Sequence, residues 1–229
     1  MFYRDSTFLI LIPGILLALW AQLSVKSTFD KYSKMPASYN GTAAQATSNM
    51  LSRYGDMDIK IERAQGMLTD HYDPRSHTLR LSEGVYSSNS IAALGVAAHE
   101  SGHAMQQNDG YAFLKLRNAA VPFVSVSSNL SMIIFVMGLI MSLSFLVDLG
   151  IILFSAGVLF SLITLPVELD ASNRALKMLK ENRIITSYEE ELGVKKVLRA
   201  AAMTYVASAV MAILNLARLM LIRNSRNRD

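Results

Sequence analysis

Cysteine is absent from the 229 residues, which excludes disulfides and any thiolate-ligated metal site. Charge is scarce as well. Charged residues make up 17% of the chain against 52% hydrophobic, short of the roughly one quarter usual in soluble domains. This balance excludes a disordered tail and argues against an ordinary soluble domain. The charges sum to only +4, an excess explained by membrane orientation rather than by nucleic acid. Histidine occurs at four positions, 71, 77, 99 and 103. Neither repeats nor low-complexity segments interrupt the chain.

What the chain has in abundance is uninterrupted apolar sequence. Phe8 to Leu23 carries no charge and is about long enough to cross ~30 Å of hydrocarbon. Trp20 suits the interface at its end. Arg4 ahead of an apolar core is also how a signal peptide begins, but no small-x-small site lies near Gln22. The expectation is therefore an uncleaved anchor over 7–25. A second block, Ala119 to Val167, is broken only by Asp148. It is long enough for spans over 121–147 and 150–165, with Asp148-Leu149-Gly150 as the turn, because a charge at mid-membrane depth is costly. A third block predicts a span over 198–222, with Arg199 near one end and Arg218 snorkelling at the other.

Four spans leave two polar stretches, 26–118 and 166–197, and counting crossings places both on one side of the membrane. Of the 22 Lys and Arg residues, 17 fall between Lys26 and Arg199. By the positive-inside tendency this face is cytoplasmic, although Arg223, Arg226 and Arg228 in the tail argue the other way. The fold class expected is a mainly α integral membrane protein with about four transmembrane helices and a small domain on one face.

The chemistry is concentrated at His99-Glu100-Ser101-Gly102-His103. Ser87, Ser88 and Asn89 are candidate N-caps, and the small residues from Ser90 to Ala98 read as a helix. Positions four apart share a helix face. His99 and His103 can thus aim imidazole nitrogens at one point about 2 Å away, as tetrahedral zinc requires. Glu100, one step round the helix, reaches a water there without binding the metal. Ala97, Ala98 and Ala104 make the flanks apolar. Gly95 and Gly102 weaken the helix and imply close approach of a neighbour.

A catalytic zinc takes a third protein ligand. Asp148 falls on the wrong side of the membrane, and Glu189 to Glu191 read as a solvated run. Glu168 follows the third span directly and opens an amphipathic stretch after Pro166, so it is the expected third ligand. Asp170, two residues on, points elsewhere and stands four before Arg174, well placed for an ion pair. It remains the alternative ligand. Ala171, Ser172 and Ala175 keep the Glu168 face small.

At these residues the chain resembles the YugP-like family of neutral, membrane-bound zinc metallopeptidases. The resemblance rests on His99-Glu-Ser-Gly-His103, on Pro166-Val-Glu-Leu-Asp-Ala-Ser-Asn-Arg-Ala175 after two spans, and on Asp70-His-Tyr-Asp-Pro-Arg75. More distantly it is similar to HtpX-type and CAAX prenyl proteases, whose E-x-x-x-D pattern would place an acid where this chain has Ser172. That departure leaves Asp170 as a candidate for bracing a zinc-bound histidine.

The resemblance implies a zincin-like α+β catalytic domain within 26–118 and a Zn2+ cofactor. It also implies hydrolysis of a polypeptide with Glu100 as general base. Arg174, His77 and Tyr111 are candidate oxyanion donors. Ser76 to Ser82 alternates polar and apolar residues and reads as a strand. The resemblance makes it the edge strand that pairs with substrate, while Leu79 and Leu81 alone suggest a core strand. Asp73 to Ser76 reads as the preceding turn. The alternative to an enzyme is an inactive relative serving as a metal- or partner-binding scaffold.

Overall fold

The computed structural model describes residues 6–54, 58–67 and 69–226. Arg4 and Arg228, which entered the readings of the first span and the tail, lie outside the described residues. Among the described residues, four helices are long and apolar enough to cross a membrane: Thr7–Tyr32, Ala112–Ile140, Ser144–Glu181 and Tyr188–Ser225. The chain is a mainly α membrane protein with one small sheet. It divides into two compact units.

The first unit comprises Met1–Gln22, Lys115–Pro166 and Thr204–Asp229. It draws on helices α1 (Ile12–Tyr32), α5 (Ala112–Ile140), α6 (Ser144–Glu181) and α7 (Tyr188–Arg226). Large apolar side chains such as Leu16, Phe123, Ile133, Phe145 and Leu159 face outward, as a lipid-facing surface requires. The turn between α5 and α6 is not at Asp148-Leu149-Gly150. It lies at Met141 to Leu143, with Ser142 at φ 59. Asp148 belongs to α6, where Arg223 Nη2 donates to its Oδ2 at 3.1 Å. A carboxylate with an arginine partner does not need a loop. Gly150 serves helix packing instead, since a Cβ there would come within 2.7 Å of the Phe135 backbone nitrogen.

The second unit comprises Leu23–Leu114 and Val167–Met203. The expected self-contained domain over 26–118 is therefore incomplete without the later stretch. Its core runs from Met50 and Leu79 through Leu94 and Ala98 to Leu179, Ile184 and Val194. Nor is 166–197 a separate connector helix. Pro166 lies inside α6, which runs on to Glu181, and α7 begins at Tyr188. A proline removes one helical donor but need not end a helix whose apolar side is held by packing. Glu190 departs from the solvated run expected of it. It is buried and accepts backbone N–H groups of Ser38, Thr186 and Ser187, pinning the loop before α2 (Ala43–Ser52) to the start of α7. With Ser187 Oγ accepting the Glu190 N–H at 3.1 Å, this is a capping box.

The sheet has β1 (Lys60–Ala64), β2 (His71–Asp73) and β3 (Thr78–Ser82) in the order β1-β3-β2. β3 pairs in parallel with β1 and antiparallel with β2. It is the interior strand, so the expectation that it is an edge awaiting substrate is corrected. Both of its sides are paired, and Leu79 and Leu81 are 0% exposed. The free edge on that side belongs to β2. The turn from Asp73 to Ser76 is as expected. The Asp73 carboxylate accepts Ser76 Oγ at 2.8 Å and the Arg75 N–H at 3.0 Å. The Ser76 bond first, then those from Arg75 and Arg80, hold its pKa down at about 2. A short helix, α3 (Glu83–Tyr86), leads on to α4 (Ile91–Asn108).

Candidate metal centre

Helix α4 carries the centre, and it begins at an N-cap one residue past the three expected candidates. Ser90 Oγ accepts the Ala93 N–H at 3.2 Å, and Ser88 Oγ in turn donates to Ser90 Oγ. The helix is buried on most of its faces, and small residues let neighbours close in at Ala92, Ala93, Ala97, Ala98, Ser101, Gly102 and Ala104. At Gly102 a Cβ would lie 2.4 Å from the Ala171 carbonyl oxygen. No side chain fits there, so α4 and α6 touch backbone to backbone. Gly95 is different, as a Cβ there would meet only side chains at ordinary distance. Gly102 precedes His103 and Ala171 lies one turn past Glu168, so this contact brings the carboxylate to the imidazoles.

One ligand atom each from His99, His103 and Glu168 lies within 4.8 Å of the others. Glu168 Oε2 stands 3.2 Å from His99 Nε2 and 3.5 Å from His103 Nε2. Ligands of a tetrahedral ion with bonds of about 2.0–2.1 Å are about 3.3 Å apart, so the spacing suits zinc. The imidazole rings meet edge to face, 4.8 Å between centroids at 82°, and the Nε2 atoms of both neighbour the same Glu168 oxygen. Glu168 is only 3% exposed. Two nitrogens and one carboxylate oxygen are the donor set of a site that keeps a fourth position open.

Both remaining imidazole nitrogens are braced. His99 Nδ1 meets Ser172 Oγ at 3.2 Å, at the position where the distant relatives' pattern has an acid. His103 Nδ1 meets Gln106 Oε1 at 3.0 Å. Gln106 Nε2 donates to the Val167 carbonyl at 2.7 Å and to Asp170 Oδ2 at 2.9 Å. Both of those partners can only accept, so the glutamine amide must present its oxygen to His103. Nδ1 of His103 therefore keeps its proton, and Nε2, beside Glu168 Oε2, is the nitrogen that binds a metal once deprotonated. Sequence reasoning missed Gln106. The signal available was an amide three residues past His103, directly after apolar Ala104 and Met105, and Gln106 is 0% exposed.

Glu100 Oε2 accepts the Tyr72 N–H at 3.1 Å. Burial raises the pKa of Glu100, with the charges of Glu168 and Asp70 adding to it and those of His99 and His103 opposing it. Burial disfavours the charged form of His103, but the hydrogen bond to Glu168 and the charges of Glu100 and Glu168 outweigh it, and the pKa is raised. The site thus brings three candidate metal ligands together with an adjacent half-buried carboxylate.

The sequence comparisons place the chain in a family. The family described as "Putative neutral zinc metallopeptidase" matches residues 7–224. The chain belongs to this family. It is 46% identical over 211 residues to the "Putative membrane protease YugP" of Bacillus subtilis (strain 168), covering 92% of this chain and 93% of that protein. No solved structure gives a significant match.

The other candidates in this family member take different places. His71 Nδ1 lies 2.7 Å from the Thr69 carbonyl oxygen, outside the cluster. His77 occupies the turn before β3 with φ 48. Asp170 is held by Gln106 and by Arg174 Nε at 2.6 Å. Arg174 also pairs with Asp109 and lies over the Tyr111 ring, so the guanidinium is already committed to two carboxylates.

Proposed function

We propose that this chain is a membrane-bound, zinc-dependent endopeptidase in which His99, His103 and Glu168 hold zinc and Glu100 is the general base. The observation that supports it is the convergence of the two Nε2 atoms and Oε2, with the opposite nitrogen of each ring already engaged. When bound, zinc supplies Lewis acidity that lowers the pKa of water toward neutrality and polarises a peptide carbonyl. Glu100 takes the proton from the attacking water and returns it to the leaving amine. The Tyr72 N–H holds Oε2, which leaves Oε1 as the atom that carries the proton.

Purified full-length protein in detergent is expected to contain one zinc per chain and to cleave an unfolded model protein. Chelation should stop cleavage and added zinc should restore it. A preparation that folds but neither retains nor responds to zinc would overturn the reading.

The brace on His103 has its own test. Gln106→Leu keeps the volume but leaves the imidazole Nδ1 without its acceptor. Partners of this kind are worth about 10- to 100-fold in metal affinity. Competition with a chromophoric chelator should show a loss of that size, and an unchanged affinity would remove Gln106 from the site.

The distribution of lysine and arginine supports a cytoplasmic active site. The cysteine-free chain makes this directly measurable. Ser52→Cys, at an exposed position ending α2, is expected to react with a membrane-impermeant maleimide only after cells are lysed. Labelling in intact cells would reverse the orientation.

A further inference from the structure

A cavity of about 570 Å³ lies along the face of α4 that starts at Glu100. Ala104, Gln107 and Asn108 line it, and these positions follow Glu100 by four, seven and eight residues, on the same helix face. The opposite wall is Tyr72 and the turn holding Arg75 and His77. Tyr72 joins cavity to site, because its N–H is the donor to Glu100 Oε2. That N–H points away from β3, so the backbone of β2 at Tyr72 is directed toward Glu100 rather than into the sheet.

The charges around the cavity are unbalanced. Lys60 and Arg75 both line it, and neither forms an ion pair among the described residues. Other arginines of the sheet are neutralised: Arg63 by Glu83, and Arg80 by Glu62 and Asp73. Among the described residues, the one acid in the wall is Asp58. The Asp73 carboxylate is taken up by its own turn.

We propose that this cavity is a side-chain subsite that selects an acidic residue, aspartate or glutamate, close to the cleaved bond. The proposal rests on the peptidase reading above. A peptide whose carbonyl lies beside Glu100 runs past the outward-facing backbone of β2, and one of its side chains then enters the cavity. Arg75 and Lys60 supply the attraction there.

The test uses binding, so that it survives a failure of hydrolysis. Fluorescein-labelled decapeptides, identical except for Glu, Gln or Lys walked through the six central positions, are titrated against full-length, zinc-loaded Glu100→Gln protein in detergent. At one position the Glu peptide should bind about five-fold tighter than the Lys peptide, as expected for two solvent-exposed charge pairs. The preference should shrink with added salt. It should vanish in Lys60→Gln/Arg75→Gln and invert in Lys60→Glu/Arg75→Glu. Equal binding of the three peptides at every position overturns the subsite, as does a preference that survives both double variants. Absence of cleavage by the zinc-loaded parent protein overturns the peptidase reading instead, and leaves the binding comparison to decide the subsite.

Discussion

Glu100→Gln is expected to keep its zinc and to lose about a hundred- to ten-thousand-fold in kcat, the range usual for removing a positioned general base. The argument rests on what glutamine can and cannot replace. Its side chain has the same length, and its amide oxygen can still accept the Tyr72 N–H that Glu100 Oε2 accepts at 3.1 Å. It cannot take a proton at the second position. The three converging atoms belong to other residues, so metal content should match the parent within error, as should the thermal midpoint. Substrate affinity should change little, which separates a lost proton acceptor from a distorted site. If the variant cleaved a model protein at the parent rate, Glu100 would not be the base. If the parent itself held zinc and cleaved nothing, the inactive-scaffold alternative would stand.

Much of this arrangement was legible because it depends on local periodicity. Spacing of four residues is enough to put His99 and His103 on one face, and small residues at 171 and 175 suffice to mark the packed face beside Glu168. The long uncharged runs gave the four apolar helices for the same reason, since hydrocarbon thickness sets their length.

Where pairing between distant segments decides, the sequence was ambiguous. Alternation in Thr78 to Ser82 shows that Leu79 and Leu81 are buried, but it does not say whether one neighbour or two bond the backbone. β1, eighteen residues earlier in register, takes the second side. Asp148 and Gly150 have the composition of a turn, yet one is answered by Arg223 and the other is required by Phe135. Both partners lie on other helices. Gln106 went unnoticed because its role depends on Val167 and Asp170, more than sixty residues on.

Glu168→Ala tests the third ligand, and its expected effect is the larger of the two on metal content. Removing a direct ligand should cost more than the 10- to 100-fold typical of bracing partners, enough to leave the purified protein largely without zinc. Two controls separate ligation from packing. Glu168→Gln preserves volume and hydrogen bonding at this buried position but removes the negative charge, so it too should bind zinc weakly while folding normally. Asp170→Asn addresses the rival ligand. The Asp170 carboxylate already accepts from Gln106 Nε2 and Arg174 Nε, and turning it to the metal would break both bonds. Asp170→Asn is thus expected to weaken zinc only to the extent that it disturbs Gln106, in step with Gln106→Leu and well short of Glu168→Ala. Should the ranking reverse, with Glu168→Ala retaining zinc and Asp170→Asn losing it, the carboxylate that completes the cradle would be the one at 170.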